Sequence, residues 1–315
     1  MLEAARRGDR LSLARLITRL ERGGPTGREV ASLAYRDGSE VPTVGITGAP
    51  GAGKSTLVSR LIAIARGEVG GLGVIAIDPT SPFTGGAILG DRVRMQDHAL
   101  DQGVFIRSMA TRGHLGGLSV VVPEGVRLLA AAGMERVFVE TVGVGQVEVE
   151  VASATDTTVV VLTPGWGDAV QANKAGLLEV ADIFVINKSD RPGARQTRQD
   201  LEQMLNMSQP TSWRPPIIET VASADQGVSE LWAAVHEHED SLAGTGELEI
   251  RRTARLELEF RKVLRARIEN EVDRLIADRH DGLVQSVVAH ERDPYAAADE
   301  LLGELGELGT SGAGP

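Results

Sequence analysis

The chain has 315 residues, a formal net charge of −11 and no cysteine. Without cysteine it can form no disulfide, thiolate metal site or cysteine nucleophile, and its acidic balance argues against sequence-independent binding to nucleic acid. No apolar run is as long as a membrane span, and the charged segment Met1–Arg10 does not fit a signal peptide. The sequence therefore predicts a soluble, cytoplasmic protein that does not enter membranes.

Residues 1–40 are predicted to form a helical extension at the N terminus. Apolar residues recur at helical spacing in its first half and stop at Gly23-Gly24-Pro25, which ends that helix. A second short helix is predicted from Arg28 to Tyr35. The spacing favours a cap packed on the edge of the next domain over a binding role.

Residues 41–240 alternate apolar strands with helices, which predicts an α/β domain around a mainly parallel sheet. The predicted strands are 43–47, 73–77, 103–108, 136–140, 157–162, 182–187 and 216–221. The predicted helices are 54–66, 90–101, 119–132, 146–153, 168–179, 195–207 and 228–238. Ligands of such sheets bind beyond the carboxyl ends of the strands, so the residues at those ends are the candidate site.

The first predicted strand leads into a glycine-rich loop and a helix. Gly48, Gly53, Lys54 and Ser55 fit the phosphate-binding pattern G-x-x-x-x-G-K-[ST]. Glycines let backbone N–H groups turn toward one anion, the lysine reaches the β- and γ-phosphates, and the serine hydroxyl can bind Mg²⁺. The candidate nucleotide-binding residues here are Gly48, Ala49, Pro50, Gly51, Ala52, Gly53, Lys54, Ser55 and Thr56.

Carboxylates at two other strand ends are candidate metal residues. Asp78 leaves the second strand and Asp91 follows in a glycine-rich segment, although Asp78 also fits a helix N-cap or turn. Glu140 ends the fourth strand, and Gly143 follows three residues later. This spacing is typical of a γ-phosphate sensor, in which Glu140 reaches Mg²⁺ through water and the Gly143 N–H contacts the γ-phosphate.

The sixth predicted strand ends in Asn187-Lys188-Ser-Asp190, an N-K-x-D pattern. Asp190 can accept two hydrogen bonds from guanine N1–H and N2–H₂, whereas adenine would place a lone pair against the carboxylate. Lys188 would lie along the base, and Asn187 would tie this turn to the phosphate loop. Ser223 and Ala224, after the seventh strand, are candidates to donate a backbone N–H to guanine O6. The pattern therefore predicts GTP rather than ATP.

Several of these motifs occur together and in a fixed order, and the set resembles the MeaB/ArgK family of methylmalonyl-CoA mutase-associated G-proteins. The resemblance covers about residues 41–240. Its motifs are Gly48-Ala-Pro-Gly-Ala-Gly-Lys-Ser55, Asp78-Pro-Thr-Ser-Pro-Phe-Thr-Gly-Gly-Ala-Ile-Leu-Gly-Asp91, Glu140-Thr-Val-Gly-Val-Gly-Gln146, Pro164-Gly-Trp-Gly-Asp-Ala-Val-Gln171 and Asn187-Lys-Ser-Asp190. It implies a P-loop NTPase fold of the signal-recognition/MinD type.

The same resemblance implies a GTPase chaperone with GTP/GDP and Mg²⁺ as cofactors. Such proteins bind an adenosylcobalamin-dependent acyl-CoA mutase, gate the loading of intact cofactor and protect the enzyme. By matching positions, Ser55, Asp78, Asp91 and Glu140 surround the metal. The segment Gly165–Lys174 matches a third loop that couples nucleotide state to the mutase, with Asp168, Gln171 and Lys174 as candidate coupling residues; by spacing alone this segment is an ordinary helix entry.

Residues 241–315 are predicted to form a helical arm with a frayed tail from Gly303. One face of the predicted helix carries an apolar stripe, which must be buried against another surface. Packing on the chain's own domain or dimerisation would both bury it. The resemblance favours a homodimer. The stripe comprises Leu256, Phe260, Val263, Leu264, Ile268, Val272, Leu275 and Ile276.

The catalytic set predicted from the sequence is Lys54, Glu140, Gly143 and Gln146. Many GTPases place a water-orienting glutamine directly after the switch glycine, but Val144 stands there and Gln146 follows two residues later. Slow hydrolysis that a partner accelerates is therefore expected. Trp166 also departs from the small residue of many relatives, which leaves the identity of the partner open.

Three alternative functions remain from the sequence. A metal-insertion GTPase would need a His- or Cys-rich tract, and the six histidines are scattered. A small-molecule kinase, for example one acting on arginine or ornithine in transport, would share the phosphate loop without needing an N-K-x-D pattern. A nucleotide-dependent scaffold would bind GTP and hydrolyse very little of it.

Overall fold

A seven-stranded parallel sheet forms the centre of the chain. The computed structural model describes residues 1–78, 96–98, 100–110, 118–141, 147–165, 180–207, 212–278 and 282–311. The strands follow the order β3-β2-β4-β1-β5-β6-β7. They are β1 Thr43–Gly48, β2 Leu72–Asp78, β3 Val104–Ala110, β4 Arg136–Thr141, β5 Thr157–Leu162, β6 Ile183–Asn187 and β7 Ile217–Thr220.

The chain divides into two compact units, Met1–Glu259 and Phe260–Pro315. In the first unit the helices are α1 Leu2–Arg6, α2 Arg10–Arg22, α3 Gly24–Asp37, α4 Lys54–Ala65, α5 Leu118–Ala131, α6 Val147–Ala154, α7 Ala194–Met207 and α8 Val228–Thr245. The long helix α9, Glu247–Asp278, begins in the first unit and ends in the second. The second unit also contains α10 Leu283–Val288 and α11 Pro294–Ser311.

The strand order places β1 at the centre, between β4 and β5. The chain winds from β1 toward β2, β3 and β4 on one side and continues to β5, β6 and β7 on the other. Ligands of such sheets bind where the winding changes direction, beyond the carboxyl ends of the strands. The fold class predicted from the sequence, an α/β sheet of the P-loop type, is confirmed.

The two sheet faces are covered by different helices. One face packs against α4 and α8 through residues such as Leu57, Leu61 and Leu231. The other face contributes Ile75 and Ile77 to a core that also contains apolar residues of α1, α2, α3 and α5. Alternation along each strand explains this division, because successive side chains point to opposite faces.

The N-terminal helices therefore share the core of the first unit. Leu13, Leu16, Ile17 and Leu20 are all buried in it, as their helical spacing requires. The chain has a short α1 that the sequence did not predict. Gly24 and Pro25 begin α3 instead of separating two helices, since proline is well suited to the first turn of a helix. The predicted domain boundaries after residues 40 and 240 differ from the division at Glu259.

Other element boundaries differ by a residue or two, with three larger differences. Helix α8 continues to Thr245, beyond the predicted end at 238. Residues 96–98 form a single 3-10 turn where the sequence predicted part of an α-helix over 90–101, and residues 79–95 lie outside the described residues. The helix predicted over 168–179 also lies outside the described residues. Helix α11 runs through residues predicted to fray.

The first turns of α9 are fixed to the amino ends of β5 and β6 by arginines. Asp156 is almost fully buried and accepts hydrogen bonds from Arg252 at 2.8 and 3.2 Å and from Arg255 at 3.2 Å. Arg251 donates to Asp182 at 3.0 Å. Burial opposes ionisation of Asp156, but Arg252 and Arg255 together outweigh it and hold the pKa of this carboxyl below its usual value. These pairs anchor the helix at the end of the sheet opposite the candidate site.

Helices long and apolar enough to cross a membrane are absent from the described ranges.

Candidate nucleotide site

The loop between β1 and α4 has a backbone that only glycine fits at two positions. Gly48 has φ 134° and Gly53 has φ 90°. A Cβ on Gly48 would lie 2.0 Å from the Val161 carbonyl oxygen, and one on Gly53 would lie 2.4 Å from Asn187 Nδ2. The pattern glycines therefore allow the loop to pass close to β5 and to the turn after β6. This close approach shapes a cradle whose backbone N–H groups can surround a phosphate.

Lys54 opens α4 and is buried against the loop. Its ammonium donates hydrogen bonds to the carbonyl oxygens of Gly48 at 2.7 Å and Ala49 at 2.9 Å. A buried cation needs such partners, because transfer from water into protein is costly. The side chain is thus held at the mouth of the loop, where it can compensate phosphate charge alongside the positive end of α4.

Ser55 and Glu140 meet beside the phosphate loop. The Ser55 hydroxyl donates to Glu140 Oε1 at 2.6 Å, and both side chains are buried. Glu140 reaches this position because it lies on β4 beside Ile46 of β1 and faces α4. A hydroxyl and a carboxylate of this kind are oxygen ligands that Mg²⁺ prefers. Among the described residues no group of three His, Cys, Asp or Glu could hold a metal by itself.

The turn after β6 is tied directly to the phosphate loop. Asn187 Nδ2 donates to the Ala52 carbonyl at 2.7 Å, and Asn187 Oδ1 accepts from Thr220 Oγ1 at 3.0 Å and from the Ala222 N–H at 3.2 Å. Lys188 Nζ donates to the Gly51 carbonyl at 2.7 Å. The ends of β6 and β7 and the phosphate loop therefore form one hydrogen-bonded unit.

The remaining residues of the base-reading prediction lie at the same edge of the sheet. Asp190 is exposed two residues beyond Lys188, whose left-handed backbone (φ 58°) turns the chain sharply there. Ser223 and Ala224 lie in the 3-10 turn after β7, where the Ala224 N–H donates to the Val221 carbonyl at 2.8 Å. The Ala224 N–H is therefore hydrogen-bonded within the turn itself.

Several predicted site residues lie outside the described residues. They are Asp91, Gly143, Gln146, Asp168, Gln171 and Lys174. Asp78 ends β2, next to β4, but its side chain is not described.

The structure also brings in three buried threonines that the sequence did not single out as site residues. Thr220 supports Asn187, and Thr47 hydrogen-bonds Thr141 beside Glu140. A hydroxyl residue at the carboxyl end of a buried apolar strand is the signal that would have identified them.

A central β1, a glycine loop around a buried lysine and the N-K-x-D turn Asn187–Asp190 anchored to that loop define a P-loop GTPase, which binds GTP and GDP. The comparisons with known proteins agree. A family model described as "Methylmalonyl Co-A mutase-associated GTPase MeaB" matches residues 13–276. The chain belongs to this family, which confirms the resemblance found from the motifs, and GTP hydrolysis is its activity.

Individual relatives extend the match over most of the chain. A protein of Pyrococcus abyssi with a provisional GTPase name is 47% identical over 97% of this chain and 96% of its own length. GTPase ArgK of Escherichia coli is 38% identical over 78% of this chain and 76% of its own. A solved structure described as an "LAO/AO transport system kinase" is 28% identical, covers 96% of both chains and has a TM-score of 0.69.

Proposed function

We propose that this GTPase is a chaperone of an adenosylcobalamin-dependent acyl-CoA mutase of the methylmalonyl-CoA type. It uses GTP to gate cofactor loading and to protect the enzyme. The observation that carries the proposal is the family match over residues 13–276, whose description names association with methylmalonyl-CoA mutase. The site supports it, because the phosphate loop, Glu140 and the base-reading turn lie at one sheet edge, where loss of the γ-phosphate can be sensed.

The residues present fit a magnesium ion. The Ser55 hydroxyl would bind the ion and the Glu140 carboxylate would reach it through water; the two groups are 2.6 Å apart beside the phosphate loop. Asp78 and Asp91 complete the proposed set. When bound with GTP, the metal would neutralise phosphate charge. Lys54 would contact the β- and γ-phosphates, and the Gly143 N–H would contact the γ-phosphate.

The proposed base recognition uses the turn after β6. Asp190 accepts hydrogen bonds from guanine N1–H and N2–H₂, and Lys188 lies along the ring. Ser223 and Ala224 are the proposed source of a backbone N–H for guanine O6. Because Asn187 and Lys188 also bond to the phosphate loop, the base and the phosphates are bound by connected parts of the chain.

We infer that hydrolysis is slow in the isolated protein and accelerates when the mutase binds. Val144 directly follows Gly143, where many GTPases carry a water-orienting glutamine, and Gln146 is the proposed substitute. The proposed coupling residues are Asp168, Gln171 and Lys174. A hydrolysis rate that is already fast alone and unchanged by the mutase would contradict this inference.

We also propose a homodimer formed through α9. Phe260, Leu264 and Ile268 recur every four residues along this helix and are 68%, 46% and 51% exposed. Large apolar side chains exposed along one helical stripe are typical of an interface, and a second copy of α9 would bury them. Light scattering at micromolar concentration should give the mass of two chains. The mass of one chain would contradict the dimer.

The decisive experiment is co-purification of the protein with a methylmalonyl-CoA mutase under GTP, GDP and nucleotide-free conditions. We expect capture that depends on the nucleotide, and acceleration of GTP hydrolysis by the mutase. Lys54→Ala should abolish the nucleotide dependence, whereas Lys262→Ala, on α9, should retain it. Equal capture in all three conditions would exclude the proposed gating.

The same preparation tests the alternative functions. Because the solved relative is described as a transport kinase, the terminal phosphate of labelled GTP and ATP should be followed in the presence of arginine and ornithine. Label on the amino acid would replace the chaperone proposal with a kinase. Release of inorganic phosphate at a rate no higher than the Lys54→Ala background would indicate a scaffold. Nickel binding at stoichiometric amounts would favour metal insertion.

A further inference from the structure

Two threonine side chains form a buried hydrogen bond between β1 and β4, beside the nucleotide site. Thr47 Oγ1 and Thr141 Oγ1 are 2.9 Å apart, and both residues are fully buried. Thr47 immediately precedes Gly48 of the phosphate loop. Thr141 immediately follows Glu140 and ends β4.

The pair stands in an otherwise apolar row across four strands. Ile77 of β2 is the partner of Thr141, and Val160 of β5 is the partner of Thr47. Both neighbours are buried and apolar. Valine has the same shape as threonine and would suit a buried strand equally well. Within this row of four described residues, hydroxyls occur only at Thr47 and Thr141, and packing alone does not explain them.

Buried hydroxyls are costly when unpaired and contribute modestly when paired. A hydrogen bond between them adds about 1 kcal/mol of stability, whereas an orphaned partner costs about 1–3 kcal/mol. Two valines would thus give a similar stability without the polar pair. What the hydroxyl pair provides beyond two valines is a directional contact, with a fixed distance between the ends of the two strands.

This contact and the Ser55–Glu140 bond fix the end of β4 on both faces of the sheet. Successive strand residues point to opposite faces, so Glu140 faces α4 and Thr141 faces the other side. Glu140 bonds to Ser55 of α4, and Thr141 bonds to Thr47 of β1. The carboxyl end of β4 thus has a defined position relative to the phosphate loop.

We propose that Thr47 and Thr141 are positioning residues for GTP hydrolysis. Their hydrogen bond sets where β4 holds Glu140 relative to the phosphate loop. It acts on the rate of the chemical step and has little effect on nucleotide affinity, because the loop carbonyls and the base-reading turn are held by other contacts. The hydroxyl is required at both positions, whereas the threonine methyl group is not.

The test compares Thr47→Val, Thr141→Val, the double variant and Thr141→Ser. Single-turnover GTP hydrolysis, GDP affinity without added metal and thermal unfolding are measured for each. We expect the double variant to unfold close to the parent temperature and to bind GDP within about twofold, while its hydrolysis rate falls about fivefold to tenfold. Thr141→Ser should hydrolyse GTP at nearly the parent rate, because it keeps the hydroxyl.

Thr43→Val provides a matched control at the other end of β1. Thr43 is also buried, and its hydroxyl accepts a hydrogen bond from the Asp156 N–H at 2.8 Å. This variant should lose stability and keep its hydrolysis rate. A double variant that hydrolyses GTP at the parent rate would overturn the proposal, and so would a Thr141→Ser variant as slow as Thr141→Val. If a single variant does not fold, the double and serine variants decide the question.

Discussion

Replacing Asn187 with alanine removes three hydrogen bonds from the point where the turn Asn187–Asp190 meets the phosphate loop. The lost bonds join its side chain to the Ala52 carbonyl, the Thr220 hydroxyl and the Ala222 N–H. All three partner residues are buried, so water replaces the lost bonds poorly. Each buried partner left without a hydrogen bond costs about 1–3 kcal/mol, so the change costs at least about 3 kcal/mol in total.

Part of this cost falls on folding and part on nucleotide binding. The GDP dissociation constant is expected to rise about tenfold to hundredfold, which corresponds to about 1.4–2.7 kcal/mol. The remainder should lower the free energy of unfolding of the nucleotide-free protein. Calorimetric titration with GDP and urea unfolding measure the two parts separately.

Asn270→Ala supplies the control for this experiment. Asn270 also donates a 2.7 Å hydrogen bond to a backbone carbonyl, that of Ala266, but it lies exposed on α9. Its replacement should change GDP affinity by less than twofold. An Asn187→Ala variant that loses stability but binds GDP as tightly as the parent would refute the coupling between the turn and the loop.

Three further predictions concern charge. Asp190→Asn should weaken GDP binding about hundredfold, since a charged acceptor of two hydrogen bonds is lost. The same variant should bind XDP more tightly, because the C2 oxygen of xanthine accepts a hydrogen bond from the new amide. Calorimetry that shows an unchanged GDP affinity would contradict the assignment of Asp190 to the base. Asp156→Asn should lower the free energy of unfolding by about 2–4 kcal/mol, because Arg252 and Arg255 would face a neutral amide. The control Glu202→Gln removes a charge from the exposed Arg198–Glu202 pair and should lower the free energy of unfolding by less than about 0.5 kcal/mol. Urea unfolding measures both changes. Burial, aided by the Glu259 carboxylate and opposed by Arg127, raises the pKa of Glu124 to about 7. The folded protein therefore holds an extra proton between about pH 4.5 and 7, and stability falls as the pH rises through that window by about 1–3 kcal/mol. Glu124→Gln should remove this part of the pH dependence in urea unfolding at pH 5.5 and 8, and an unchanged difference would contradict it.

The sequence predicted those parts of the molecule that local chemistry determines. The phosphate loop was predictable because its glycines, lysine and serine must stand at fixed spacing along one stretch of chain. The turn Asn187–Asp190 was predictable for the same reason. The sheet followed from the alternation of apolar strands and helices. In each case the signal lies within a few neighbouring residues.

Contacts between distant segments were not predictable in this way. Thr47 and Thr141 are 94 positions apart, and their bond depends on β4 lying beside β1, which the strand sequences do not reveal. Asp156 and Arg252 are 96 positions apart, and nothing near either residue indicates the other. The apolar stripe of α2 showed that some surface must cover it, but only the assembled sheet identifies that surface.

The bonds from Asn187 and Lys188 to the phosphate loop have a consequence for incomplete ligands. A tripolyphosphate without a base would fill the cradle but leave the neighbouring turn without the contacts that steady it. Guanosine without phosphates would contact the turn but leave the phosphate loop without a ligand. Since each half of the site steadies the other, GTP should bind far more tightly than the separate affinities of its two fragments imply, and the protein should discriminate strongly against metabolites that carry only one of them.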